Sequence, residues 1–307
     1  MNEIILIDLP PENGTIKGCW YNGYPIHKGQ SENSLNYATV YANEHNIIPN
    51  QKKLKQEFEH FIRAIKKAGF TVHLLPFPEK LNQSNCLHHD AIFVRDSGLS
   101  FKDYWIKARF SAIDRQIEAD SHAETMQKIF KKEIIHLPKN AFLEFGEVFL
   151  LETQKGTFYF GGLSRSSKEG HDFVKSIVNP DYYCLIQSEG YHLDTVFSPV
   201  INANNELVAC ILSKKMIHKE SIEAIYNLNI QCIDIDPIDS SGEGESLGNY
   251  AVNTLVGPGV MLNSALFQTP RVEEILQEMG IKRFVSPLTY FRYAGGSFHC
   301  LTNEMYF

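Results

Sequence analysis

Long hydrophobic runs are missing from this chain of 307 residues. No stretch of 18 consecutive apolar residues occurs, although a membrane-spanning helix requires about 18 or more. Residues 1–11 also lack the basic start and apolar core of a secretory signal peptide, because their apolar run covers only residues 4–7. We therefore expect a cytoplasmic protein that does not act at a membrane.

Closely spaced cysteine pairs are also absent. The six cysteines include no CxxC pair, so the sequence favours neither a disulfide scaffold nor a structural zinc site. Cys184, Cys210 and Cys232 lie inside apolar strand-like runs, which is typical of small buried hydrophobic residues. Cys300 differs, because it follows a GGSFH run whose paired glycines predict a tight turn.

An excess of positive charge is the third absence. The chain has 29 basic and 36 acidic residues, and its net charge is −7. Residues 1–150 are balanced, so the acidic excess lies entirely in residues 151–307. Nucleic-acid binding depends on clustered Lys and Arg, so we expect no nucleic-acid partner. The acidic half would favour a cationic ligand, although a solvated acidic surface explains the same balance.

Helix-like and strand-like patterns alternate along the chain. Residues 51–75 show a helix with one apolar face, a glycine break and an apolar strand. The same order recurs, with strands starting near Phe70, Ile134, Tyr182, Ile230 and Ile281. Five units of about 50 residues predict one repeated α/β architecture across residues 1–307. Ordinary helix–strand alternation in an α/β protein is the alternative.

The residues that could carry chemistry fall in the loops after these strands. They are Asp90, Asp96, Glu144, His192, Asp194 and Cys300. A thiolate is a strong nucleophile, and an imidazole can lower its pKa or move its proton. Several carboxylates suit the binding of a planar, permanently charged guanidinium. Turn capping or pairing with arginine would explain each carboxylate taken singly.

Six motifs carry a family resemblance. In chain order they are FVRDSG, LEFGEVF, GGLSRSS, YHLDTVF, NYAVNTLVGPGVML and GGSFHC. The ordered set resembles the guanidine-modifying enzymes of the pentein superfamily, which include arginine deiminase, dimethylarginine dimethylaminohydrolase and amidinotransferases. The resemblance covers roughly residues 30–307. It implies an α/β fold, a five-bladed propeller of about five ββαβ units, which would form one catalytic domain over residues 1–307.

The resemblance also implies a covalent mechanism. Cys300 would attack the guanidinium carbon and form an amidino-thioether. His192 would protonate the departing amine and then activate water or an acceptor amine. Glu144 would hydrogen-bond to His192 and orient it.

Substrate binding is implied for five further residues. Asp90, Asp96 and Asp194 would clamp the guanidinium. Arg109 and Arg165 match positions at which relatives bind a substrate carboxylate, a role suited to a bidentate fork. A surface ion pair is the alternative for both arginines.

The motifs also depart from the family pattern. Hydrolases of the family usually read LEGGD, so Phe145 replaces a glycine and Glu147 an aspartate. A ring at residue 145 would narrow the site or change its loop. Residues 9–34 lack helical periodicity, and a segment of this length predicts either a lid or a packed surface loop.

The leading hypothesis is a metal-free and cofactor-free cysteine hydrolase of arginine or a similar small guanidino compound. The rivals are an amidinotransferase, which the GGSFHC ending favours, and a non-catalytic pentein binding module. A metal hydrolase using His88, His89, Asp90, His192 and Asp194 is disfavoured, because the adjacent histidines lack the spacing that places two ligands on one helix face. The sequence leaves the substrate side chain, the product and the oligomeric state open, a homodimer included.

Overall fold

A computed structural model describes residues 3–11, 37–47, 49–83, 86–243 and 246–306. Most of the segment predicted to be a lid or a surface loop, residues 12–34, lies outside these ranges. No helix within them is long and apolar enough to cross a bilayer.

Strands and helices alternate through the described chain. The strands are β1 (Glu3–Ile7), β2 (Thr71–Leu75), β3 (Asn82–Gln83), β4 (Cys86–Leu87), β5 (Gly98–Phe101), β6 (Tyr104–Lys107), β7 (Glu133–His136), β8 (Val148–Thr153), β9 (Gly156–Gly162), β10 (Tyr182–Ile186), β11 (Phe197–Ile201), β12 (Leu207–Leu212), β13 (Gln231–Asp234), β14 (Gly242–Glu243), β15 (Ser246–Leu247), β16 (Leu255–Gly257), β17 (Val260–Asn263), β18 (Lys282–Val285) and β19 (Asn303–Tyr306). The helices are α1 (Tyr37–Glu44), α2 (Gln51–Lys67), α3 (Gln116–Phe130), α4 (Lys168–Val178), α5 (Lys219–Tyr226), α6 (Val272–Glu278) and α7 (Thr289–Arg292).

One three-stranded unit recurs through the fold. In it, a first strand pairs antiparallel with a second, and a helix then leads to a third strand parallel to the second. Strands β5–β7, β8–β10, β11–β13 and β16–β18 each form such a unit. A fifth is assembled from both ends of the described chain, because β19 pairs antiparallel with β1 and β1 pairs parallel with β2. Strand β19 also pairs with β5, which joins two units into a six-stranded sheet.

The third strand of each unit begins where the sequence pattern predicts. These strands start at Thr71, Glu133, Tyr182, Gln231 and Lys282, each within one residue of its predicted position. The helical periodicity is also confirmed. In α2 the predicted apolar face is buried, and the Asn50 side chain caps the helix by accepting from the Lys53 amide. An α/β fold of recurring units is therefore established.

The connection that follows each third strand positions the polar residues of interest. After β2, β7, β10 and β13 it contains a short 3₁₀ turn, at residues His89–Ile92, Phe145–Glu147, Leu193–Thr195 and Pro237–Asp239. After β18, residues 293–302 follow α7 and lead into β19. Equivalent places in successive units therefore supply the side chains described below.

Candidate active site

Cys300 lies buried in the connection between α7 and β19. Asn253 Nδ2 donates to its sulfur at 3.1 Å, and the thiol donates to Asp194 Oδ2 at 3.4 Å. The predicted tight turn precedes it, because Gly295 has a φ of +83°. A Cβ at Gly296 would lie 2.2 Å from the Phe93 ring, so this close approach requires glycine.

The surroundings of Cys300 favour the neutral thiol. Burial, followed by the negative charges of Asp194 and Asp96, raises the pKa of Cys300 well above its ordinary value. The backbone of Ser297 and the hydrogen bond from Asn253 offset only part of this effect. Without a cationic ligand, the sulfur is therefore protonated at neutral pH.

His192 is held between two carboxylates. Its Nε2 lies 2.9 Å from Glu144 Oε2, and its Nδ1 lies 3.5 Å from Asp96 Oδ1. Burial opposes the charged form, but Asp96, Glu144 and Glu147 together raise the pKa of His192 to about 9. The imidazole is therefore protonated at neutral pH and can donate a proton.

Glu144 is fully buried and fully engaged. Its Oε1 accepts from the amide and the hydroxyl of Ser111, at 3.0 and 2.6 Å. Its Oε2 accepts from His192 and from Arg165 Nε at 3.1 Å. Burial alone would raise the pKa of Glu144, but the His192 hydrogen bond and charge, with Arg165, lower it. The carboxylate therefore stays ionised and holds the His192 ring in place.

The two departures from the family pattern occupy different environments. The Phe145 ring is fully buried in a core cluster with Leu99 and Tyr159. The ring therefore contributes to the hydrophobic core, and its expected effect on the substrate site stays a prediction. Glu147 accepts from the amides of Arg165 and Leu193, at 2.6 and 2.7 Å, and so fixes the backbone next to His192.

Glu147 needs a neighbour without a side chain. A Cβ at Gly162 would lie 1.9 Å from Glu147 Oε2, so the longer acid fits beside a glycine. Burial raises the pKa of Glu147 to about 7, although the His192 charge and both amide hydrogen bonds oppose this.

Asp96 and Asp194 each leave one buried oxygen without a hydrogen bond to any part of the chain that the structure describes. Asp96 Oδ2 accepts from Arg115 Nη1 at 3.1 Å, whereas Oδ1 has no such partner. Asp194 Oδ2 accepts from Cys300 and from His299 Nδ1, whereas Oδ1 has none. Buried polar atoms are normally satisfied, so these two oxygens point to a missing donor.

Of the three other predicted ligands, Asp90 and Arg165 lie next to this centre. Burial raises the pKa of Asp90 to about 6, and Arg115, Glu118 and Asp96 are its charged neighbours. The Arg165 guanidinium pairs with Glu144, as described above, and stacks 4.3 Å from the centre of the Tyr191 ring. The Arg109 guanidinium does not join this cluster. It donates instead to the Pro138 carbonyl at 3.0 Å.

Sequence reasoning missed three residues of this cluster, which are Arg115, Glu118 and Asn253. Arg115 forms buried ion pairs with Glu118 at 2.8 Å and with Asp96. Asn253 Oδ1 accepts from the amides of His299 and Cys300 at 3.0 and 3.3 Å, which fixes the backbone at the thiol. The i, i+3 spacing of Arg115 and Glu118 predicts their pairing, but no sequence signal predicts the contact of Arg115 with Asp96.

Among the residues that the structure describes, no group of three His, Cys, Asp or Glu side chains is arranged to hold a metal ion. Residues 233–245 are rich in acids, and Asp239 among them stabilises the fold. Asp239 is fully buried and accepts from Asn249 Nδ2, the Gln268 amide, and the amide and hydroxyl of Thr269.

Comparisons with known proteins identify the family. The model of the family described as N,N dimethylarginine dimethylhydrolase, eukaryotic, matches residues 29–307. A curated relative from Nostoc sp., the bifunctional arginine dihydrolase/ornithine cyclodeaminase AgrE, is 26% identical over 217 residues, which cover 69% of this chain and 29% of the relative. The chain thus spans less than a third of that relative's length.

Solved structures show the same fold. The N-terminal domain of ArgZ, a cyanobacterial arginine dihydrolase bound to substrate, matches with a TM-score of 0.72 and 17% identity, over 98% of this chain and 97% of that one. A variant of dimethylarginine dimethylaminohydrolase, in an adduct with S-methyl-L-thiocitrulline, matches with a TM-score of 0.67 and 17% identity, over 98% of both chains.

Proposed function

The chain belongs to the N,N-dimethylarginine dimethylhydrolase family of the pentein superfamily, and we propose that it is a cysteine-dependent hydrolase of guanidino C–N bonds. The substrate class is arginine or an N-methylated arginine. One observation carries the proposal. A buried thiol, a protonated histidine and two carboxylate oxygens that lack hydrogen bonds within the described chain meet in a single cluster at Cys300, His192, Asp96 and Asp194.

The two carboxylates provide the guanidinium site. A guanidinium is planar and presents a fixed fork of N–H donors, so it can donate to Asp96 Oδ1 and Asp194 Oδ1. Asp90 supplies further negative charge on the Arg115 side. Binding of the cation offsets the carboxylate charges that raise the pKa of Cys300, so the thiol loses its proton to solvent when substrate arrives.

The thiolate then attacks the guanidinium carbon. A C–S bond forms and gives a neutral tetrahedral adduct. The His192 imidazolium gives its proton to the departing nitrogen, and the C–N bond breaks. Ammonia leaves when that nitrogen is unsubstituted, and a methylated amine leaves when it carries methyl groups. Cys300 is left as a cationic S-amidino thioether, and His192 is left neutral.

In the hydrolysis that follows, His192 acts as a base and the sulfur of Cys300 becomes the leaving group. Neutral His192 removes a proton from water, and the hydroxide adds to the same carbon. The adduct collapses with cleavage of the C–S bond, the hydroxyl proton passes to the leaving sulfur, and a ureido product is released. Glu144 keeps His192 oriented through both proton transfers, because its hydrogen bond to Nε2 persists.

The proposal also covers the architecture, the cellular setting and the oligomeric state. The five units would close into a five-bladed propeller, and residues 1–307 would be one catalytic domain. The pairing of β1 with β19 and the equivalent connections that carry the site residues support this arrangement. A cytoplasmic location and a homodimer remain predictions, which cell fractionation and sedimentation would check. Arg109 and Arg165 likewise remain predicted ligands of a substrate carboxylate.

Product identification tests the proposed reaction. Arginine and its N-methylated derivatives are incubated with the protein in ¹⁸O-labelled water, and the products are identified by mass spectrometry. Hydrolysis yields a ureido product that contains ¹⁸O, or ornithine if a second hydrolysis follows. Ornithine formed only when an acceptor amine is supplied would instead indicate amidino transfer and contradict the proposal. The Cys300→Ser variant is the matched control.

A further inference from the structure

A cavity lies beside the cluster described above. Its volume is about 50 Å³, and its lining includes Arg95, Phe149, Pro258, His299 and Glu304. None of the proposed catalytic side chains lines it. His299 does, and His299 also contacts Asp194. This residue therefore connects the cavity with the cluster.

The position of His299 is determined from several directions. Its Nδ1 lies 2.8 Å from Asp194 Oδ2. Its ring stacks on Phe149, with centroids 4.3 Å apart and planes inclined by 25°. Its backbone amide donates to Asn253 Oδ1 at 3.0 Å, and its carbonyl accepts from Arg95 Nε at 3.4 Å. The Nδ1 atom of the His299 ring therefore faces Asp194.

The tautomer of His299 follows from this geometry. Burial and the charge of Arg95 lower the pKa of His299, so the imidazole is neutral near pH 7. An ionised carboxylate oxygen only accepts, so the proton sits on Nδ1 and points at Asp194. Nε2 is then an acceptor, and the cavity beside the ring gives room for water to donate to it.

We propose that His299 is a positioning residue whose Nδ1–H holds the Asp194 carboxylate between the Cys300 thiol and the guanidinium site. Asp194 Oδ2 receives the His299 N–H and the thiol together, at 2.8 and 3.4 Å. This arrangement turns Oδ1 towards the substrate. The guanidinium part of this assignment depends on the proposed function, whereas the contact with the thiol does not.

The His299 hydrogen bond also partly neutralises the negative charge of Asp194, which raises the pKa of Cys300. The charged and titratable neighbours of His299 are Asp194, Arg95 and Glu304. Those of Cys300 include Asp194, Asp96 and Tyr250. Loss of the His299 donor leaves the Asp194 charge concentrated on the oxygen nearest the thiol, so the pKa of Cys300 should rise further.

A matched pair of variants tests the role of the N–H. His299→Asn can place an amide N–H where Nδ1 now lies, and His299→Leu has a similar shape but no donor. We expect His299→Leu to weaken arginine binding by roughly tenfold or more in a Cys300→Ser background. In a protein that retains Cys300, we also expect His299→Leu to shift the pH dependence of Cys300 alkylation by iodoacetamide to higher pH. His299→Asn should remain within about twofold of the parent in both measurements.

Two results would overturn the proposal. If His299→Leu matches the parent, the N–H is dispensable. If both variants lose binding equally, packing on Phe149 accounts for the effect. ¹⁵N NMR of histidine in the unaltered protein provides a measurement that does not depend on how the variants fold, because an Nε2–H tautomer at His299 would also contradict the assignment. Alkylation and NMR need no turnover, so their outcome is separable from that of the product screen.

Discussion

His192 and Cys300 occupy similar surroundings but differ in their resting charge. Both side chains are buried beside carboxylates. Asp96 and Glu144 stabilise the imidazolium and raise the pKa of His192 to about 9, against the opposing effect of burial. At Cys300, burial and the charges of Asp194 and Asp96 act in the same direction and keep the thiol protonated.

The difference shows how one set of carboxylates can set the resting protonation of both His192 and Cys300. A carboxylate favours a neighbouring cation and disfavours a neighbouring anion. The acid that must release a proton to the leaving amine is therefore charged before substrate binds, whereas the nucleophile is not. Only a bound cation makes the thiolate favourable, so an empty site does not hold an exposed reactive sulfur.

The largest effect should come from removing the thiol. Cys300→Ser should lower turnover of the preferred guanidino substrate by at least about a thousandfold, because a hydroxyl at this position is a much weaker nucleophile than a thiolate. Product formation is followed by mass spectrometry, and circular dichroism checks the fold. Cys232→Ser in β13 is the control and should remain active. Retention of even a few per cent of activity by Cys300→Ser would show that another group attacks the substrate.

On the histidine side, Glu144→Gln should lower kcat by roughly a hundredfold, within the range of general acid–base effects. Removing this charge lowers the pKa of His192, so the imidazolium is lost at lower pH and the high-pH limb of the kcat profile moves downward. The exposed Glu152→Gln in β8 is the matched control. An unchanged limb would mean that Glu144 does not control the protonation of His192.

On the substrate side, Asp96→Asn should weaken arginine binding by about 10- to 150-fold in a Cys300→Ser background, as expected when a hydrogen bond to a charged group is lost. Glu144→Gln in the same background should change affinity little, because its oxygens already have donors within the protein. Calorimetric titration compares the two, and exposed Asp103→Asn is the control. Equal losses of affinity would make Glu144 a guanidinium ligand and refute its orienting role.

The smallest expected effect is that of a chelator. The proposed steps use only side chains of this protein, so dialysis against a strong chelator should leave kcat and KM unchanged. The assay should be run with and without added zinc or manganese. Activity lost on dialysis and restored by either metal would contradict the thiol mechanism.

The sequence predicted the repeating framework well, because apolar periodicity records which face of each helix and strand is buried. The motifs also pointed to Cys300, His192 and Glu144 together, and the structure places Glu144 against His192. Whether these residues and the predicted ligands act as proposed is for the variants above to decide.

Contacts between distant segments were not predictable from spacing. Arg115 pairs with Asp96 across 19 residues, and their pairing depends on how the connection before β5 packs against the start of α3. Spacing along the sequence does not link the His299 side chain to that of Cys300, because adjacent side chains generally diverge. In the structure both side chains contact Asp194, and a shared third residue of this kind has no signature in a single sequence.

Titration of the Cys300 thiol tests the central claim most directly. The ultraviolet absorbance of the thiolate is followed against pH, with and without methylguanidinium, and Cys300→Ser serves as the blank. We expect the free protein to titrate well above the ordinary thiol value of about 8.5, and the midpoint to fall when methylguanidinium is bound. A midpoint at or below the ordinary value in the free protein, or no shift with the ligand, would contradict the account.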